Sequence, residues 1–176
     1  MKTIIVINGI GGSGKDTLIQ EFPAPCANVS SIDPIKKIAK EIGWNGVKDV
    51  AGRRFLSQLK QAADEYDDFS TKYLLQKAKG FLLTGFSDYL FVQIREPENI
   101  HKLVEEAKKE LPNFSIEDIK ILTLLVKADW TPESLGNPSD DRVTDYPYDI
   151  IFHNSEGISG LGKVFFDFIK EYINNH

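Results

Sequence analysis

A glycine-rich segment near the start of the chain has the residue types and spacing of a phosphate-binding loop. Residues 9–16 read GIGGSGKD, which matches the pattern G-x-x-x-x-G-K. Glycines let backbone N–H groups surround a phosphate without intervening Cβ atoms. Lys15 adds a mobile ammonium for the β- and γ-phosphates of a nucleotide. The predicted nucleotide-binding residues of this segment are Gly9, Gly11, Gly12, Ser13, Gly14, Lys15, Asp16 and Thr17.

Asp16 is the candidate metal ligand. A serine or threonine usually stands at this position and ligates Mg²⁺ directly. A carboxylate is longer and negatively charged, so it holds the metal directly or through a water. The segment therefore predicts ATP and Mg²⁺ as the cofactors, with Asp16 on the metal.

The elements around this loop predict an α/β fold. Uniformly apolar, β-branched segments indicate buried parallel strands. They lie at residues 3–8, 28–32, 89–94, 119–126 and 149–152. Amphipathic segments indicate helices that begin at Lys15 and span residues 33–42, 55–66, 73–83, 97–107 and 158–172. Because strands alternate with helices, we predict three layers, with a five-stranded parallel sheet and helices on both faces.

The carboxyl ends of the predicted strands locate the candidate site. Ligands of such sheets bind beyond these ends, and all of them lie at one edge. Each strand is followed by polar or charged residues. These segments are 9–17, 33–36, 93–96, 127–142 and 153–157.

Cationic side chains beyond the second and third strands predict a second anion site. Lys36 and Arg95 follow those strands directly. Arg53 and Arg54 begin a helix, where cations are disfavoured by the helix dipole, so they either face an anion or are solvated. Asp33 either caps a helix or also accepts a hydroxyl of the substrate. Two tryptophans in loop-like stretches either join the core or line the acceptor pocket, namely Trp44 and Trp130.

The polar segment between the last two strands predicts a lid over the phosphates. Residues 128–147 are rich in Pro, Asp, Gly and Asn. Arg142 in this segment would neutralise charge that develops on a transferred phosphoryl group, or is a solvated loop residue. Asn154 and Gly157 follow the last strand and are expected to present backbone groups to the base of ATP.

Three segments resemble one family, the deoxynucleoside monophosphate kinases of the bacteriophage type. The GSGKDT sequence is similar to their phosphate loop, and also to that of animal-type phosphomevalonate kinases. The DPIK sequence at residues 33–36 resembles their D-P-L-K stretch, and residues 145–149 with Asn154 and Gly157 resemble their closing strand and purine-side loop. The third strand departs from the pattern, with Gln93 where the family favours an aspartate.

The resemblance implies a single P-loop kinase domain over residues 1–176, with acceptor-binding helices in 33–85. It implies transfer of the ATP γ-phosphate to a nucleoside or deoxynucleoside monophosphate. Other phosphorylated acceptors, such as phosphomevalonate or dephospho-coenzyme A, remain alternatives. A GTPase-like switch is a further alternative, because residues 49–52 match D-x-x-G and residues 127–129 match K-x-D. Gln93 also leaves open a nucleotide-binding protein without turnover.

Composition narrows the classes of partner. The 176 residues are 41% hydrophobic and 27% charged, as in an ordinary soluble domain. The net charge of −5 argues against a nucleic-acid polymer as ligand. The apolar run at the N-terminus is too short for a signal peptide or a membrane span, and Cys26 is the only cysteine. We therefore expect a cytoplasmic protein that binds small nucleotides and no membrane; the sequence does not indicate an oligomeric state.

Overall fold

A computed structural model describes residues 1–84, 86–114, 118–131, 142–155 and 160–176. These residues form five β-strands that alternate with six α-helices and one short 3₁₀-helix. The strands are β1 Lys2–Asn8, β2 Cys26–Ser30, β3 Tyr89–Gln93, β4 Ile119–Ala128 and β5 Ile150–Asn154. The helices are α1 Lys15–Gln20, α2 Asp33–Glu41, α3 Val50–Asp67, α4 Phe69–Leu83, α5 Pro97–Glu110 and α6 Leu161–Asn175, with the 3₁₀-helix at Leu111–Phe114.

The five strands form one parallel sheet in the order β2-β3-β1-β4-β5. In register, Val6 of β1 pairs with Val92 of β3 on one side and with Thr123 of β4 on the other. All seven residues of β1 are buried, because strands of the sheet flank it and helices cover both its faces. The predicted α/β fold with a five-stranded parallel sheet is confirmed.

Two hydrophobic layers hold the helices against the sheet. Successive side chains of a strand point to opposite faces. Ile4 and Val6 accordingly pack with α4 and α5, whereas Ile5 and Ile7 pack with α1 and α6. A smaller cluster joins α2 to α3 around Ile35. No helix of the described residues is both long enough and apolar enough to cross a membrane.

The connections of β1 and β3 open a crevice at the carboxyl edge of the sheet. From β1 the chain passes through α1 on one face, and from β3 it passes through α5 on the other face. Neighbouring strands whose connections leave on opposite faces mark the place where open α/β sheets bind ligands. The crevice beyond β1 and β3 is therefore where the candidate site is expected.

The N-terminal ends of α2 and α3 differ from the sequence prediction. Helix α2 begins at Asp33 with Ile32 at the N-cap, and the Asp33 carboxylate accepts a hydrogen bond from Ser30 N (2.9 Å), so Asp33 is not the cap. Helix α3 begins earlier than predicted, and the Asp49 carboxylate caps it by accepting from Gly52 N (2.7 Å). The D-x-x-G fragment at 49–52 is thus a helix start.

Candidate active site

The predicted phosphate loop, residues 9–16, connects β1 to α1 and is shaped by its glycines. Gly9, Gly12 and Gly14 all have positive φ angles, of 157°, 86° and 85°. A Cβ atom on Gly9 would lie 2.6 Å from the Val126 carbonyl oxygen, and one on Gly14 would lie 2.4 Å from Asn154 Nδ2. Both approaches are too short for any other residue. The glycines are therefore required by the turn itself and by its packing on β4 and β5.

Lys15 lies folded over its own loop. Its Nζ donates to the carbonyl oxygen of Gly9 (2.6 Å) and to that of Ile10 (3.3 Å). These carbonyl groups hold the ammonium close to the backbone of the loop. An anion bound by the loop would offer stronger, charge-assisted partners to the same ammonium.

Asn154, the last residue of β5, holds the loop through a side-chain hydrogen bond. Its side chain is 2% exposed, and its Nδ2 donates to the Ser13 carbonyl oxygen (3.0 Å). Asn154 Oδ1 and Ser13 Oγ are buried and have no hydrogen-bond partner among the described residues. The side chain of Asn154 thus positions the phosphate loop, while the predicted role of its backbone toward a base stays a prediction. Gly157 lies outside the described residues.

Asp16 and Gln93 are joined across the crevice. Gln93 Nε2 donates to Asp16 Oδ1 (3.0 Å) and to Asn28 Oδ1 (3.2 Å). Gln93 therefore faces the loop from the end of β3, where the family resemblance favours a carboxylate. No group of three or more acidic, histidine or cysteine side chains suited to a metal occurs in the described parts of the chain. Mg²⁺ often takes only one or two protein carboxylates beside substrate phosphates, so the single exposed carboxylate of Asp16 fits it.

Lys36, a predicted acceptor-binding cation, lies in the first turn of α2. Its Nζ is 3.9 Å from Asp33 Oδ1. Burial lowers the pKa of Lys36, and the neighbouring charge of Lys48 lowers it further; Asp33 and Asp16 oppose this, and Arg95 adds a smaller lowering. Charges that act on one another in this way share one neighbourhood. Lys36 thus pairs with Asp33, and Asp16 and Arg95 lie within electrostatic range of its ammonium.

Lys48 is a cation of this neighbourhood that the sequence reasoning missed. It lies in the loop between α2 and α3, where the sequence offers no pattern that singles it out. Its backbone oxygen accepts a hydrogen bond from Arg53 Nε (3.0 Å), so the exposed Arg53 side chain lies beside it. Arg54 is also exposed on α3.

Arg142 is the first described residue after residues 132–141. Its guanidinium forms ion pairs with Glu98 in the first turn of α5 and with Asp145 (3.2 Å from Nε). The contact with α5 places Arg142 near the segment that follows β3. Most of the predicted lid lies outside the described residues, so closure over the phosphates stays a prediction.

Trp130 lies against the phosphate loop. Its indole Nε1 donates to the Gly12 carbonyl oxygen (2.9 Å), and its ring approaches Gly14. The ring is 43% exposed. Trp130 thus packs on the loop at residues 9–16 rather than within the core, and its place in an acceptor pocket stays a prediction.

The comparisons with known proteins bear on the fold. No family profile matches the sequence, and no curated protein matches it. The chain is similar in structure to a protein from Chloroflexus aurantiacus J-10-fl that bears a provisional designation as a kinase. The TM-score is 0.59 at 12% identity, over 99% of this chain and 97% of the other. It is also similar to a sugar kinase from Janibacter sp. HTCC2649, with a TM-score of 0.52 at 10% identity over 99% and 95% of the two chains. At these identities the likeness shows one thing, an α/β fold shared with two proteins described as kinases.

Proposed function

We propose that this protein is a phosphotransferase that passes the γ-phosphate of ATP to a nucleoside or deoxynucleoside monophosphate. One observation supports the proposal: a glycine-rich loop with the sequence of a phosphate loop and a separate pair of cations lie at the same edge of the sheet. The loop at residues 9–16 lies beyond β1, and the charges of Lys36 and Arg95 lie close to it on the side of β2 and β3. A kinase with a phosphorylated acceptor needs this pair of sites, because donor and acceptor phosphates must meet while each is held separately.

Four groups would have roles in the donor site. The loop amides would cradle the β-phosphate of ATP, and Lys15 would exchange the carbonyl groups of Gly9 and Ile10 for phosphate oxygens. Asp16 would hold Mg²⁺, which when bound neutralises charge on the β- and γ-phosphates. Gln93 would keep the Asp16 carboxylate directed across the crevice.

The acceptor site would place the attacking group. Lys36 and Arg95 would bind the acceptor phosphate and aim one of its oxygens at the γ-phosphorus. The bond from that oxygen to the γ-phosphorus forms as the bond to the β,γ-bridging oxygen breaks, and ADP leaves with the bridging oxygen. Lys15 and Arg142 would stabilise the charge on the transferring group.

The charge of the acceptor distinguishes the alternative substrates. A neutral acceptor such as a sugar has no negative charge that the Lys36 and Arg95 cations could bind. Phosphomevalonate and dephospho-coenzyme A carry a phosphate and stay as alternatives. The alternative of a GTPase-like switch is less favoured, because the Asp49 carboxylate of the D-x-x-G fragment caps α3.

A panel of acceptors tests the proposal. The protein is incubated with ATP and Mg²⁺ and with each ribo- and deoxyribonucleoside monophosphate, phosphomevalonate, dephospho-coenzyme A or glucose. Anion-exchange chromatography then measures ADP and the phosphorylated product together. We expect equal amounts of ADP and a nucleoside diphosphate with at least one monophosphate. Release of ADP and inorganic phosphate alone, or transfer only to a different acceptor class, would contradict the proposal.

A further inference from the structure

Asn8 joins the two halves of the candidate site. It is the last residue of β1 and is fully buried. Its Oδ1 accepts from Gly9 N (2.8 Å), and its Nδ2 donates to the carbonyl oxygen of Arg95 (3.0 Å) and to the hydroxyl of Tyr148 (2.7 Å). One side-chain amide therefore fixes the first residue of the phosphate loop and the backbone of a predicted acceptor-binding residue.

Tyr148 extends this connection toward Arg142. Its hydroxyl accepts from Asn8 and donates to the Val143 carbonyl oxygen (2.8 Å). Burial raises the pKa of Tyr148, and the hydrogen bond from Asn8 opposes this only in part, so the phenol stays protonated as the donor to Val143. Val143 is itself buried and directly follows Arg142. The chain of bonds thus runs from the phosphate loop to the residue next to Arg142.

We propose that Asn8 and Tyr148 are positioning residues that set the Arg142 guanidinium relative to the phosphate loop. This inference rests on the proposed function, in which Arg142 stabilises the transferring phosphoryl group. Tyr148 does not touch the substrates in this proposal. It acts by fixing the backbone at Val143, since a buried carbonyl group without a donor shifts to find another partner.

A matched pair of tyrosine substitutions isolates the hydroxyl. Tyr148→Phe removes the bond to Val143 and one of the two acceptors of Asn8 Nδ2, while the Arg95 carbonyl oxygen remains as the other. Tyr146→Phe removes a hydroxyl two residues away, from a ring that packs edge-on against Tyr148 (centroids 5.0 Å apart). We expect Tyr148→Phe to lower kcat about tenfold, with ATP affinity within about twofold of the wild type. We expect Tyr146→Phe to leave kcat within about twofold.

A double-mutant cycle with Arg142→Met distinguishes positioning from loss of structure. If Tyr148 acts through Arg142, Tyr148→Phe changes kcat by less than about twofold in the Arg142→Met background. Multiplicative losses in the double variant would overturn the inference, as would a wild-type kcat in Tyr148→Phe. A wild-type kcat in Arg142→Met would overturn it as well.

Hydrogen exchange gives a readout that needs no turnover. Peptides that cover residues 142–149 are followed in the wild type and both tyrosine variants, with and without a non-hydrolysable ATP analogue. We expect the analogue to slow exchange there in the wild type and in Tyr146→Phe but not in Tyr148→Phe. An equal response in all three overturns the inference. If the wild type phosphorylates no acceptor, the proposed function fails, while this measurement still decides the coupling.

Discussion

Replacing Lys36 with methionine separates the acceptor site from the donor site. The Lys36 side chain is 31% exposed and lies 3.9 Å from Asp33. Methionine keeps most of the length of the side chain and removes its charge. The substitution therefore probes the attraction between this ammonium and the acceptor phosphate with little change in packing.

The expected loss follows from the partial burial of Lys36. Two unit charges about 4 Å apart attract by roughly 4 kcal/mol at an effective dielectric constant near 20. Asp33 competes for the ammonium, and both ions lose water, so a net value of about 1.5–3 kcal/mol is appropriate for one charge-assisted contact. This corresponds to an increase in the acceptor KM of about 10- to 150-fold. The KM for ATP should stay within about twofold, because the loop at 9–16 holds that nucleotide.

The lowered pKa of Lys36 also predicts how acceptor binding by the wild type depends on pH. Burial and Lys48 lower the pKa of Lys36 from its ordinary 10.5, so the free protein loses this charge at a lower pH than other lysines. Acceptor kcat/KM should therefore fall on the alkaline side below pH 10.5 in the wild type. The Lys36→Arg variant should retain binding and lose this alkaline fall, since a guanidinium does not deprotonate in this range.

Initial rates over a matrix of ATP and acceptor concentrations give both KM values. Lys37→Met is the matched control, because Lys37 is the exposed next residue of the same helix. An unchanged acceptor KM in Lys36→Met, or equal increases in both KM values, would refute the reasoning. The same increase in Lys37→Met would point to a general effect of charge.

Three further substitutions test the donor side. Lys15→Ala should lower kcat by about two orders of magnitude or more with an unchanged circular dichroism spectrum, since one preorganised charge at the transferring group is worth about 3 kcal/mol; near wild-type turnover would remove the assigned role. Asp16→Asn keeps the oxygen that accepts from Gln93 and removes only the charge. It should raise the Mg²⁺ concentration needed for half-maximal rate, while ATP affinity in EDTA weakens little or improves; an unchanged Mg²⁺ titration would place the metal elsewhere. Gly14→Ala should lower the free energy of unfolding by about 1–3 kcal/mol in urea titrations, because its Cβ would meet Asn154 Nδ2 at 2.4 Å from a left-handed backbone; a wild-type midpoint would contradict the packing described for the loop.

Local patterns were enough to predict most of the fold. The β-branched run in β1 and the glycines after it indicated a buried strand and a phosphate loop, and the structure has β1 at the centre of the sheet. When strands alternate with helices, the strands pair in parallel, and their carboxyl ends lie at the same edge of the sheet. The positions of Lys36 and Arg95 beyond β2 and β3 followed from that rule alone.

Long-range contacts could not be predicted from the same patterns. The Asn8–Tyr148 bond joins residues 140 positions apart, and the local patterns around the two residues do not indicate that they are in contact. Asp33 resembled a helix cap because it precedes a proline, but Ser30 N satisfies its carboxylate instead. In each case the partner that decides the outcome is set by the tertiary structure.

A ligand that spans both phosphate sites tests the central claim most directly. Two nucleosides joined by five phosphates, one of them adenosine and the other that of the best acceptor, can occupy both sites at once. Isothermal titration calorimetry should show one molecule bound per chain, with a Kd at least about 100-fold lower than that of ATP, because the second site is engaged intramolecularly. Lys15→Ala and Lys36→Met should each weaken this binding, whereas Lys37→Met should not. A Kd no lower than that of ATP, with no response to Lys36→Met, would contradict the two-site account.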